Sequence, residues 1–254
     1  RQFEQFPNLV TMFFTRAREK GEKPFLWRKQ GGAWASISWA EAARRVASVA
    51  AGLKALGLQS GDRVMLVSEN RTEWGLADLG IMAAGCVTVP TYTTNTERDH
   101  LHILENSGAA AVIVSTEKLA RTLLPAVLRS NDARHVISME ALKAPQGGDV
   151  SFHLWDTLLG TGAEVRAAER DAAQMQRGDL ACLIYTSGTG GAPRGVRQHH
   201  GAILLNVEGC IDIIANDFTW EEEEVFLSFL PLSHAYEHSG GQFLPIGLGG
   251  QIYY

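Results

Sequence analysis

The stretch Tyr185-Thr186-Ser187-Gly188-Thr189-Gly190-Gly191-Ala192-Pro193-Arg194-Gly195-Val196 places three glycines and three hydroxyls within residues 186–191. Glycine lets backbone N–H groups turn inward with no Cβ in the way. The hydroxyls of Thr186, Ser187 and Thr189 add donors, so the stretch can form a concave site for phosphate oxygens. Arg194 supplies positive charge, and Pro193 stiffens the far arm before a return strand at Val196-Arg197-Gln198. The apolar run Leu180-Ala181-Cys182-Leu183-Ile184 reads as a buried strand, which puts the loop at the carboxyl end of a sheet strand, where open α/β sheets bind ligands. Two other glycine motifs fail by count. A G-x-x-x-x-G-K-[ST] loop starting at Gly190 would need Lys where Val196 stands, and G-x-G-x-x-G from Gly188 would need Gly at Pro193. A glycine-rich surface turn is the plain alternative, but a turn needs no hydroxyl cluster behind a buried strand.

Further residue types that could do chemistry lie downstream. His234 and His238 are four apart and could share one helical face, as metal ligands do, but the order is H-A-Y-E-H and no third ligand is evident. His199-His200-Gly201 opens a helix running roughly from Ala202 to Ala215, where a histidine reads as a polar cap. Glu221 to Glu224 is read as a solvated turn rather than a metal site. Cys86, Cys182 and Cys210 show no C-x-x-C spacing and read as reduced core residues, with no metal-cysteine site.

The elements that must position these residues alternate. An opening helix with Phe3, Phe6, Leu9, Met12, Phe13 and Phe14 stops at Pro24, a hairpin follows around Gly31-Gly32, and an amphipathic helix spans Trp39 to Gly57. Strands are expected at 63–68, 86–90, 110–115 and 135–139, with helices at 71–84, 96–107 and 116–129, the last interrupted at Pro125. This repetition predicts an α/β fold with a parallel-rich sheet flanked by helices. The pattern lapses over 143–178, with a loop at 144–148 and two polar helical patches. A subdomain boundary is placed near 175, giving a first subdomain at 1–175 and the start of a second at 176–254. Val225-Phe226-Leu227-Ser228-Phe229 reads as another buried strand.

The glycine loop resembles the phosphate-binding signature Y-T-S-G-T-T-G-x-P-K-G-V of the adenylate-forming enzymes, which include acyl-CoA synthetases, luciferases and peptide-synthetase adenylation domains. Ten of its eleven specified positions match if Arg is allowed for Lys. Gly190 replaces the second Thr of the pair and Arg194 replaces Lys, so ATP use is expected to be weakened but not abolished. Val67 to Thr96 resembles the "N-R-x-E-W" helix and "A-A-G-x-V-x-V-P" strand of acyl-CoA synthetases, closest to the long-chain fatty acid branch. There Ala77, Gly80 and Ala84 are read as a packing face that lets helix and sheet approach. Leu230-Pro231-Leu232-Ser233-His234-Ala235-Tyr236-Glu237 is similar to the "L-P-L-x-H-x-x-E" motif, and His200 stands where the family has the His of "T-H-x-N".

The resemblance implies the large N-terminal domain of the acyl-CoA synthetase/luciferase-like fold and a two-step reaction. A carboxylate attacks the α-phosphate of ATP to give acyl-adenylate and pyrophosphate, and CoA then takes the acyl group as a thioester. It implies that Thr186, Ser187, Gly188, Gly190 and Gly191 cradle the β- and γ-phosphates, that Arg194 adds charge, and that Thr189 lies near magnesium. His234 would help to position the acid. The "Y-G-x-T-E" segment, the ribose-binding Asp, the hinge and the Lys of the mobile C-terminal lid domain have no counterparts here. The chain is therefore expected to be an N-terminal piece that is inactive alone. Alternatives are a fatty-acyl-AMP ligase loading a carrier protein, and a noncatalytic nucleotide-binding protein.

Composition sets outer bounds. With 254 residues, 45% hydrophobic, the chain can bury a sizeable core. A net charge of −5 without a basic stripe speaks against a nucleic-acid partner. No run approaches a membrane span and no secretory signal is evident, so a cytoplasmic protein is expected, and the long-chain branch adds peripheral membrane contact as an option.

Overall fold

The computed structural model describes residues 5–143, 148–186, 191–218 and 223–254. Ser187, Gly188, Thr189 and Gly190 of the glycine loop lie outside the described residues, as do Glu221 and Glu222 of the acidic run.

Helix α1 (Leu9–Lys20) starts at Asn8, whose side chain accepts the Thr11 N–H, and ends at Gly21 with φ +58°. Strands β1 (Pro24–Gln30) and β2 (Ala33–Ser38) form the expected hairpin, and α2 (Trp39–Ala55) follows with Ser38 as its cap. Then β3 (Arg63–Val67), α3 (Thr72–Ala83), β4 (Val87–Thr91), α4 (Glu97–Ser107), β5 (Ala111–Val114), α5 (Glu117–Arg129), β6 (His135–Ser138) and β7 (Ser151–Leu154) alternate. After the short helices α6 (Trp155–Leu159) and α7 (Val165–Ala172) come β8 (Leu180–Thr186) and β9 (Arg194–His199).

These strands form one sheet in the order β7-β6-β5-β3-β4-β8-β9 among the described residues, parallel except for the antiparallel edge strand β9. Alternation divides the strands between two cores: Val64, Leu66, Ala111 and Ile113 face one, Met65, Val67, Val112 and Val114 the other. Both faces are therefore covered, as strands apolar on both sides require. β8 and β9 follow residue 175 yet hydrogen-bond into the sheet whose other strands precede it.

Four expectations change. β7 has no apolar run to announce it, being a half-exposed edge strand. Pro125 does not interrupt α5: it sits on the exposed side, where the carbonyl its missing N–H leaves free can meet water. Gly80 serves helix–helix rather than helix–sheet contact, since a Cβ there would lie 2.6 Å from Val49 Cβ on α2. His200 is not a polar cap of its own helix α8 (His200–Asp217). It is 1% exposed, and its Nδ1 accepts the N–H of Leu9, the first residue of α1. It thus caps a helix 191 residues away.

A second sheet, order β10-β11-β1-β2, joins β10 (Val225–Leu227) and β11 (Gln251–Tyr253) to the hairpin. Between them run α9 (Ala235–Glu237), a π-helical turn at His238–Phe243 and α10 (Leu244–Leu248). β10 is an edge strand with Val225 and Leu227 56% and 64% exposed, so the expected buried strand is buried only in part.

Candidate active site at the carboxyl edge of the parallel sheet

β8 runs out of the core into the glycine loop. Its last residue, Thr186, is exposed and is the cross-strand partner of Arg194, also exposed, so a hydroxyl and a guanidinium face each other at the loop's mouth. Gly191 is exposed beside them. The stem of the loop is held from the side by α4. Tyr185 donates its hydroxyl hydrogen to Asn106 Oδ1 at 2.7 Å, and His102 Nε2 lies 2.8 Å from the Pro193 carbonyl, a contact in which the ring must donate. α4 itself is fixed by a capping box between Thr96 and Asp99 and by Gly108 in the left-handed conformation. The Tyr185 ring lies across Gly195, where a Cβ would stand 2.9 Å from Tyr185 Cζ. Glycine is needed at 195 because the ring fills the space a side chain would take. Among described residues, none of the α4 contacts was foreseen; the sequence marks 96–107 only as a helix, and Asn106 and His102 are polar positions four apart within it.

Parallel register sets the loop's neighbours. Thr88 pairs with Cys182 and Val67 with Thr91, so Thr186 at the end of β8 and Tyr92 and Ser68, the first residues after β4 and β3, lie at one level. Next to them a cavity of about 310 Å³ opens, with residues 68–70 and 92–94 on one wall and Ser228, Phe229, Pro231 and Ser233 on the other. β3 runs on toward β4 and β5 toward β6, in opposite directions along the sheet, so the switch point where such sheets bind ligands lies between β3 and β5, beside this cavity. Ser115, at the end of β5, donates to the Glu69 carboxylate and anchors that wall.

His234 follows Ser233 and is exposed at the start of α9. Its Nδ1 accepts the Tyr236 N–H, so the neutral ring carries its proton on Nε2 and can donate there. His238 does not join it on an open face. It is fully buried, with Nε2 2.7 Å from Asp78 Oδ2, and Gln242 Nε2 donates to the same oxygen at 2.7 Å. Burial by itself pushes the imidazole down, but the charge of Asp78 and its hydrogen bond outweigh this and raise His238 to about 10. Among the described residues no three His, Cys, Asp or Glu side chains gather as a metal would require. Asp78 was passed over in the sequence. Its signal was a lone carboxylate within the apolar run Leu76-Ala77-Asp78-Leu79-Gly80-Ile81. Cys86 and Cys182 are buried and unpaired, and burial pushes the Cys86 thiol up to about 12, which suits an inert core residue.

Residues 13–254 match the AMP-binding enzyme family. The chain belongs to that family. It is 33% identical over 229 residues to the long-chain-fatty-acid–CoA ligase FadD15 of Mycobacterium tuberculosis, covering 89% of this chain and 36% of that protein. It is 25% identical over 219 residues to the chloroplastic long-chain-fatty-acid–[acyl-carrier-protein] ligase AEE15 of Arabidopsis thaliana, covering 82% of this chain and 30% of that one. Among solved structures it resembles the anthranilate CoA ligase AuaEII in complex with anthranoyl-AMP. The TM-score is 0.80 at 20% identity, covering all of this chain and 45% of the other, a likeness in fold. The chain spans about a third of the length of the curated relatives it matches. In this AMP-binding chain the expected α/β architecture and parallel-rich sheet are present.

Proposed function

We propose that this chain carries the nucleotide- and acid-binding part of a ligase that activates a long-chain fatty acid with ATP and then passes the acyl group to CoA. The observation that carries the reading is the juxtaposition of the Thr186 and Arg194 mouth, the adjoining cavity and the His234 segment at one carboxyl edge. A carboxylate oxygen bonds to the α-phosphorus of ATP while pyrophosphate leaves. A thiol then bonds to the acyl carbon while AMP leaves.

Both reacting groups in the first step are anions, so the barrier falls when donors and cations are placed in advance around the phosphate oxygens. Thr186 and Arg194 offer a hydroxyl and a charge together, the donor set a polyphosphate needs. Ser187, Gly188, Thr189, Gly190 and Gly191 would complete the cradle. Thr189 would hold magnesium, which when bound neutralises phosphate charge. His234, with Nε2–H free to donate, would orient the acid at the cavity. We place residues 1–175 and 176–254 together in this N-terminal domain, because both sheets take strands from either side of residue 175, and we expect the 254-residue chain alone to form no measurable adenylate. Among the described residues no helix is long and apolar enough to cross a membrane, and we keep peripheral contact as a proposal.

The test is acid-dependent ATP–pyrophosphate exchange on the full-length protein with carboxylates from acetate to long-chain fatty acids. Exchange rising with chain length supports the reading, and no exchange with any acid overturns it. Similarity to a relative named as an acyl-carrier-protein ligase favours a second acceptor. Supplying CoA or an acyl carrier protein to the preformed adenylate decides between them.

A further inference from the structure

Asn70 stands two residues before α3 and Asp78 in its middle, and both reach across to the segment that carries His234. The Asn70 side chain accepts the Leu232 N–H at 3.0 Å and donates to the Leu230 carbonyl at 2.7 Å and to Ser228 Oγ at 3.2 Å. Ser228 in turn donates to the buried Glu237 at 2.8 Å. On the other side of His234, Asp78 receives His238 and Gln242, while the His238 N–H donates to the His234 carbonyl at 3.0 Å. The ring of His238 is walled by Trp74 and Phe243, edge-on, and its Nδ1 lies 4.0 Å from Cys182 Sγ on β8, four residues before Thr186.

This is an expensive way to hold two elements together. Asp78 and His238 have no exposure, and well-packed apolar residues of the same volume commonly stabilise such a position as well or better. What directed polar contacts add is a single geometry, and here it brackets one exposed histidine. We propose that Asn70 and Asp78 are positioning residues for His234, fixing its backbone from both sides against α3 and, through His238, against the strand that carries the phosphate loop. The inference rests on the acid-activating reading of the site.

The full-length protein tests it with Asn70→Ala and Asp78→Asn, read by two methods. In acid-dependent ATP–pyrophosphate exchange, each variant should raise the KM for the acid or lower kcat at least about tenfold, with the KM for ATP changed less than about threefold. Asn70→Asp, which keeps the acceptor for Leu232 N–H, should recover part of the loss. Amide hydrogen exchange, which needs no activity, should show faster exchange confined to residues 230–238 in Asn70→Ala, at an unchanged unfolding midpoint. Should Asp78→Asn fail to fold, Asn70→Ala still decides. Unchanged protection over 230–238 overturns the proposal. So does a loss in which the KM values for acid and ATP move together with the unfolding midpoint. If the wild type exchanges no pyrophosphate, the function reading fails, and hydrogen exchange alone still decides whether the two residues order the segment.

Discussion

Thr186 and Arg194 owe their pairing to antiparallel register at the last step of β8 and β9, which makes the two ends of the glycine loop cross-strand neighbours. A planar guanidinium can bridge two phosphate oxygens, whereas an ammonium is a compact point charge. Arg194→Lys should therefore keep kcat/KM for ATP within about fivefold, and Arg194→Gln should lower it by tenfold or more, measured by pyrophosphate exchange. Gly190→Thr, which restores a hydroxyl to the loop, should lower the KM for ATP. An unchanged constant in that variant would mean that the missing hydroxyl costs this protein nothing. Gly195→Ala should displace the Tyr185 ring, lengthen its bond to Asn106 and weaken ATP binding without a large loss of stability, because the strain falls on the loop stem.

Among elements, α4 and α3 divide the work of positioning. α4 ties both arms of the glycine loop through Asn106 and His102, and α3 holds the His234 segment. α3 reaches its place because Gly80 lets it lie against Val49 of α2. Gly80→Ala should cost about 1–3 kcal/mol through overpacking, seen as a lower urea midpoint. Val49→Ala in the same chain should return part of it by removing Cγ1, the methyl that would stand nearest the new Cβ, while the Val49 Cβ contact remains. A neutral Gly80→Ala would show that the two helices can separate freely. His102→Ala should leave stability nearly unchanged and raise the KM for ATP, since it removes one tether of the loop's far arm and little buried area.

For the whole molecule, buried histidines set the pH range of stability. Burial lowers His100 and His200 to about 4, despite opposing charges of Asp99 at the first and Asp179 and Asp78 at the second. Both stay neutral in the folded chain where the unfolded chain takes up protons. The contributions of these two should be full above about pH 6.5 and fall as the pH drops toward 4, by about 1–3 kcal/mol for each, whereas that of His238, raised by Asp78, is full below about pH 6.5 and is lost as the pH rises toward 10. Urea unfolding at pH 7.5 and 4.5 measures this. His200→Gln should flatten part of the slope, while a slope unchanged by it would place the proton uptake elsewhere. Protonation of His200 also removes the acceptor for Leu9 N–H, so α1 should loosen first, visible as faster amide exchange over residues 9–13.

What the amino-acid order determined by itself is what chain neighbours determine. The strand–helix alternation from 63 to 138, the hairpin at Gly31-Gly32 and the glycine loop behind an apolar strand all depend on residues a few positions apart, and each was legible. The phosphate-binding role we propose for that loop draws on the same kind of information, since a phosphate cradle is made of consecutive backbone N–H groups and hydroxyls. Tertiary structure alone decided which distant groups meet. Asp78 finds His238 across 160 residues, Tyr185 finds Asn106 across 79, and His200 caps a helix at the other end of the chain. It also decided that the edge strand β10 is half exposed and that Pro125 can remain in a helix, because exposure depends on what packs alongside. Periodicity records which face of an element turns inward; it holds no information on which polar group of another element will be waiting there.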